Sequence, residues 1–144
     1  EQMMERVAMD VNDTTEVNFG ENKISFKAPF ARVTMTDAIK DHTGIDISGM
    51  DEAQLRDACK SLNIEVDDTM GKGKLIDEIF GEKCEPHYIQ PTFITDYPIE
   101  MSPLCKVHRD DPNLTERFEL MINGKEIANA YSELNDPIDQ RARF

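Results

Sequence analysis

The chain has 144 residues, of which 39% are apolar and 31% charged, with a formal net charge of -13. That length gives one domain of ordinary size, and apolar residues recur too evenly along it for a disordered chain. So large a negative charge repels nucleic acid at long range, which argues against a free-standing tRNA or DNA binder.

Residues 1–16 carry Met3, Met4, Val7, Met9 and Val11 at roughly helical spacing. The methionines are expected in a helix core, partly exposed where their packing partners lie in sequence beyond this chain. No cap residue precedes the helix, and 139–144 closes on a second helical pattern without a stop signal, so both edges read as cuts inside a longer protein. In 17–34, Ile24, Phe26 and Ala28 alternate with Ser25 and Lys27, predicting one or two short strands with Pro29 at an edge or bend.

Two helices are expected in 35–64. Thr36 is the cap of the first and Gly44 lies past its end. The second starts at Ser48 or Asp51 and buries Ala53, Leu55, Ala58, Cys59 and Leu62. Asp67, Asp68 and Thr69 offer caps for a third helix with Leu75, Ile76, Ile79 and Phe80 on one side, ending near Pro86. A strand follows over 92–97, stopped by Pro98, with 104–107 as a continuation and 109–113 as a polar loop. Residues 117–134 read as a hairpin and final strand, and Asp136-Pro137 opens a last helix with proline at its first position.

Asn123-Gly124 is the strongest local signal, because this pair tolerates the positive φ angles of a two-residue type I′ hairpin turn. The turn sets Ile122 opposite Lys125, Met121 opposite Glu126 and Glu119 opposite Ala128. Glu119 and Glu126 then share one face as diagonal neighbours, roughly 7–8 Å apart at the backbone. Two carboxylates this close repel unless a cation lies between them or one takes up a proton. Magnesium accepts carboxylate oxygens together with phosphate oxygens, although a plain solvated acidic face has the same pattern.

The stretch Gly124-Lys125-Glu126-Ile127-Ala128-Asn129-Ala130-Tyr131-Ser132-Glu133-Leu134-Asn135-Asp136 closely resembles the lysine-binding strand of class II lysyl-tRNA synthetases. Ile89-Gln90-Pro91-Thr92-Phe93-Ile94-Thr95-Asp96-Tyr97-Pro98 resembles the adjoining strand of that family. Glu100-Met101-Ser102-Pro103-Leu104 and Asp139-Gln140-Arg141-Ala142-Arg143-Phe144 fit as well. The likeness is dense from about Gly71 onward and looser, but in the same order, before it.

The resemblance implies an α+β fold, part of the class II antiparallel sheet with flanking helices, with 1–41 and 87–144 as partial catalytic domain and 42–86 as a small helical insertion. It implies activation of lysine with ATP and magnesium, then transfer to tRNA(Lys), by a cytoplasmic parent enzyme that is a homodimer. By motif match, Glu119 and Glu126 fall on the magnesium-holding carboxylates. Asn129, Tyr131 and Glu133 fall on residues lining the lysine pocket, and no residue of this chain is assigned a covalent catalytic role. Glu133 suits the substrate ε-ammonium, since a neutral competitor leaves a desolvated carboxylate unpaired. Tyr131 offers an aromatic wall for the alkyl stem, and Asn129 can orient the polar end.

Strict alternation puts Glu126 on the opposite face from Asn129, Tyr131 and Glu133. One active site needs all four together, so a β-bulge or local twist is expected near Ile127-Ala128.

Other features have plainer readings. Gly71-Lys72-Gly73-Lys74 lacks the spacing and the terminal Ser/Thr of a phosphate loop, and reads as a flexible helix entry. His42, His87 and His108 lack metal-ligand spacing, and Asp67-Asp68 reads as a capping pair. Cys59, Cys84 and Cys105 are an odd set without redox or zinc spacing, so free thiols in a reducing compartment are expected. There is no secretory signal and no membrane-spanning run. A ligase that attaches a lysine-type group to elongation factor P is a neighbour in the same class; the Ser132 to Asp136 wording and the helical insertion favour the tRNA enzyme. Aspartyl and asparaginyl relatives call for a cationic pocket residue near position 133. A non-catalytic module derived from the fold is the alternative from another class. The arginine-rich and glycine-rich arginine motifs that clamp ATP in the family are not in these 144 residues, so the chain alone is expected to adenylate little or not at all and not to bind tRNA strongly.

Overall fold

A computed structural model describes all residues, Glu1–Phe144. Helix α1 spans Gln2–Asn12 and stops where Asp13 turns left-handed, its N–H donating to the Met9 carbonyl. Strands β1 (Glu16–Phe19) and β2 (Asn22–Ser25) form a two-stranded antiparallel hairpin. A cis Ala28-Pro29 peptide then leads into β3 (Ala31–Thr34).

Three helices follow. α2 (Met35–Thr43) begins earlier than expected: Thr34, not Thr36, is the cap, accepting from the Asp37 N–H. Thr34 wins because it ends a strand in extended geometry, which is what a cap needs. Gly44 closes this helix at φ 75°. α3 (Glu52–Ser61) carries a full capping box between Asp51 and Gln54. α4 (Lys72–Lys83) is entered through Gly71, with no side-chain cap. The expected caps at 67–69 lie too far upstream, and Asp67 instead accepts from the Thr69 N–H at 2.7 Å. A 3-10 turn at Glu85–His87 stacks His87 on His42 with ring centroids 4.9 Å apart, tying this turn to α2.

The rest of the sheet follows: β4 (Thr92–Pro98), a 3-10 turn (Ile99–Met101), β5 (Leu114–Ile122), β6 (Lys125–Tyr131) and the short helix α5 (Pro137–Arg143). Four strands run in the order β3-β4-β5-β6. The expectation of an antiparallel sheet holds for β4, β5 and β6, but β3 and β4 are parallel. They are parallel because α2, α3 and α4 form the crossover between them, and a crossover returns the chain in its original direction. The stretch expected to continue β4 over 104–107 makes only single bridges, Cys105 to Glu133 and Val107 to Thr115.

The two faces of the sheet have different partners. On one, Ile94, Tyr97 and Met121 join α2, α3 and α4 in a core of 16 buried residues that includes Leu55, Leu75, Ile76 and Ile79. Each such aliphatic side chain contributes about 1.5–3 kcal/mol by burial. The helical segment therefore shares its core with the sheet, and position 42 falls inside α2. On the other face, Leu120 and Ile122 meet Ile24 and Phe30, with Met4 and Phe26 packed against them. The α1 methionines divide: Met4 packs here, whereas Met3 is 75% exposed along with Val7, Met9 and Val11. All three cysteines are free and buried. No helix is long and apolar enough to cross a membrane.

Candidate functional site

The β5–β6 hairpin turns as its sequence dictates, with Asn123 at φ 56° and Gly124 at φ 68°. The turn is docked, since the Asn123 and Gly124 N–H groups donate to the Ile89 and Tyr88 carbonyls at 2.9 and 3.0 Å. Ile122 pairs with Lys125 and Met121 with Glu126, as expected.

Beyond these pairs the register slips. Leu120 pairs with Ala128, so Ile127 is an extra residue with no partner across the ladder. The expected bulge is present at that position. It corrects one expectation: Glu119 pairs with Asn129, not with Ala128. The physical consequence is a change of face. Side chains alternate along a strand, and one inserted residue moves every later side chain to the other side. Glu126 therefore shares a face with Asn129 and Tyr131, and with Arg117, Glu119 and Met121 of β5.

Glu119 and Glu126 both line a cavity of about 380 Å³ beneath α4, together with Gly73, Lys74, Asp77, Glu85, Tyr97, Glu100 and Arg117. Glu119 is 7% exposed. Burial raises its pKa above the ordinary carboxylate value and the Glu126 charge adds to the rise, while the Arg117 guanidinium opposes it. Both offer hard oxygen donors, but no group of three or more His, Cys, Asp or Glu side chains is gathered for a metal anywhere in the chain. The donor set fits magnesium shared with phosphate oxygens and water, and does not fit a closed all-protein metal centre.

Two of the expected lysine-pocket residues, Asn129 and Tyr131, lie next along the same face. Asn129 Nδ2 donates to Glu119 Oε1 at 3.3 Å, which joins the two expected sites directly. Tyr131 stands opposite Arg117 and is 39% exposed. Glu133 is exposed and bridges Cys105 beyond the end of β6.

Two residues of this site were not singled out by sequence. Arg117 sits two positions before Glu119, a spacing that could have placed it on the same face. Its guanidinium bonds Glu119 Oε1 and lies 4.5 Å from the Tyr97 ring centroid. Tyr97 is 2% exposed, and its hydroxyl is buried without a hydrogen-bond partner. Burial raises the Tyr97 pKa, and the Glu119 charge acts in the same sense although the two groups do not meet hydrogen-bond geometry. In sequence Tyr97 marks only the end of a strand. A register shift between Thr95 and Tyr97, with Asp96 at φ 56°, sets its ring on the Arg117 face.

The site is thus a four-stranded sheet with helices packed on it and two carboxylates on one strand face beside a polar cleft. The family model for class II tRNA synthetases (D, K and N) matches residues 1–144, and the chain belongs to that family. A lysine–tRNA ligase of Porphyromonas gingivalis strain ATCC 33277 is 73% identical over all 144 residues, which make up 25% of that protein. Lysine–tRNA ligases of Christiangramia forsetii and of Azobacteroides pseudotrichonymphae are 71% and 63% identical over the same length, covering 25% and 29% of those proteins. The chain thus spans about a quarter of the length of the curated relatives it matches.

Proposed function

We propose that this chain is part of the catalytic domain of a lysine–tRNA ligase, which activates lysine with ATP and transfers it to tRNA(Lys) in protein biosynthesis. The observation that carries this reading is the bulge at Ile127, which sets Glu119, Glu126 and Asn129 on one face of the sheet. A regular ladder would have separated Glu126 from Asn129.

In this reading Glu119 and Glu126 would hold magnesium with ATP, and the metal would supply positive charge to offset that of the phosphates. The lysine carboxylate displaces pyrophosphate from the α-phosphorus, giving lysyl-adenylate. Asn129 orients the amino acid's polar end, Tyr131 walls its alkyl stem, and Glu133 receives the ε-ammonium. The exposure of Glu133 is consistent with a pocket whose remaining wall comes from sequence outside these 144 residues. Residues 42–86 form the helical insertion, and the parent is a cytoplasmic homodimer.

The test is lysine-dependent exchange of pyrophosphate into ATP by the full-length protein that carries this chain. Exchange is expected with lysine and magnesium, and Glu133→Gln is expected to weaken lysine at least about tenfold, because an unpaired neutral amide cannot replace an ion pair. The 144-residue chain alone is expected to show no exchange. Exchange driven by aspartate or asparagine instead of lysine, or normal exchange by the isolated chain, would overturn the reading.

A further inference from the structure

Arg117 is the most heavily bonded side chain of the site. Nη1 donates to Ser102 Oγ at 3.0 Å and to the Met101 carbonyl at 3.2 Å. Nε donates to Asn129 Oδ1 at 3.3 Å, and Nη2 bonds Glu119 Oε1. Beneath it lies the Tyr97 ring, 4.5 Å from the guanidinium carbon. The side chain is 17% exposed. These contacts use the guanidinium on three edges and one face, so its plane is fixed by packing and by bonding at once.

That fixed plane has two consequences. Asn129 accepts at Oδ1 from Arg117 and donates from Nδ2 to Glu119, so its amide can be turned only one way. Glu119 uses Oε1 for both Arg117 and Asn129, and no side-chain hydrogen bond reaches Oε2. One carboxylate oxygen is thereby engaged by two donors and the other is free of side-chain bonds.

We propose that Arg117 is a positioning residue that links the two halves of the site, setting the free oxygen of Glu119 toward the metal and the amide of Asn129 toward the amino acid. This rests on the function proposed above. It also assigns Arg117 an electrostatic task. The cavity holds Asp77, Glu85, Glu100, Glu119 and Glu126 against Lys74 and Arg117. Lys74 is already shared by Asp77 and Glu78 of its own helix, at 2.9 and 2.8 Å. Arg117 is therefore the cation that meets Glu119, and it keeps the substrate ammonium from being captured at the metal carboxylate.

Lysine and methionine at position 117 separate these tasks. A lysine ammonium is a point charge that can reach Glu119, but it lacks the fork that also meets Asn129 and Ser102. The measurements use the full-length protein. Mn²⁺ affinity is read by electron paramagnetic resonance in the presence of a non-hydrolysable ATP analogue, and lysine affinity by calorimetry without nucleotide. Circular dichroism confirms folding. Arg117→Met is expected to weaken both ligands on the order of tenfold or more, the range seen when groups orienting metal ligands are removed. Arg117→Lys is expected to recover Mn²⁺ binding while lysine stays weak.

If Arg117→Met fails to fold, Arg117→Lys alone decides between the outcomes. Equal loss of both ligands in Arg117→Lys, or no loss of either, would overturn the proposal. Glu119→Gln is the control for the underlying reading. If it leaves Mn²⁺ affinity intact, the metal assignment of Glu119 falls. If it abolishes Mn²⁺ binding while Arg117→Lys behaves as wild type, only the role of Arg117 falls.

Discussion

Glu119 and Asn129 are direct cross-strand partners, joined side chain to side chain at 3.3 Å, and they are partners only because Ile127 stands unpaired between them and the hairpin turn. Were Ile127 paired in an unbroken ladder, Glu119 would face Ala128. The proposed metal carboxylates and the proposed amino-acid pocket meet at this contact.

Deleting Ile127 should convert the hairpin to a regular ladder. Ile127 is 54% exposed, so little core packing is lost. Residues 128–131 would keep their partners on β5, because only the extra residue of the bulge is removed, and Asn129 would stay opposite Glu119. In the full-length protein, lysine binding measured by calorimetry should therefore be retained while circular dichroism stays near native. Loss of lysine binding would show that the pocket needs the distortion of the bulge itself and not only the pairing it sets.

Two glycines of α4 should respond in opposite ways to alanine. Alanine normally stabilises a helix interior over glycine by about 1 kcal/mol. At Gly81 nothing lies within 4 Å of the added Cβ, so Gly81→Ala should raise stability by about that much. At Gly73 the Cβ would press into the Glu100 carbonyl, a backbone group, 2.7 Å from its carbon. Gly73→Ala should cost about 1–3 kcal/mol through forced displacement of the 3-10 turn at Ile99–Met101. Equal midpoints for the two variants in urea denaturation would refute this.

Tyr97→Phe removes a buried hydroxyl that has no partner. Its desolvation is uncompensated, so the phenylalanine variant should be more stable by about 1 kcal/mol in the absence of ligand. Thermal melting checks this, and a lower melting temperature would mean that the hydroxyl bonds Glu119 in solution.

Acid should release the loop after β4. Glu116 accepts from the Arg109 N–H and Nε at 3.0 and 2.9 Å, and this pairing holds its carboxyl well down, at about 2 against an ordinary 4.5. A carboxyl with a lowered folded-state pKa stabilises above its unfolded value and loses that contribution as pH falls through the folded one. The stabilisation is thus complete above about pH 4.5 and is lost towards pH 2. Glu116→Gln should be less stable than wild type near neutrality, with the gap closing over that window. A gap constant with pH would exclude the ion pair as its source. The pair is exposed at Arg109, so high salt should narrow the gap.

The amino-acid sequence by itself determined the local events. Asn123-Gly124 specified the hairpin turn, Asp51 was one of two starts offered for α3, and the stripe Leu75, Ile76, Ile79 and Phe80 specified a buried helix face. These are set by backbone sterics and by the period of apolar residues, which act over a few residues. The bulge was legible only through the resemblance to lysyl-tRNA synthetases, which asks for Glu126, Asn129, Tyr131 and Glu133 on one face where strict alternation separates them. The tertiary structure alone decided the rest. Whether β3 joins β4 in parallel depends on three helices between them, and whether Thr34 or Thr36 caps α2 depends on where β3 releases the chain. The partnership of Arg117 with Tyr97, Ser102, Glu119 and Asn129 draws on three strands and a turn that lie well apart in the chain. Such contacts form only when non-local strands pair, and no periodicity along the chain encodes which guanidinium will meet which carboxylate.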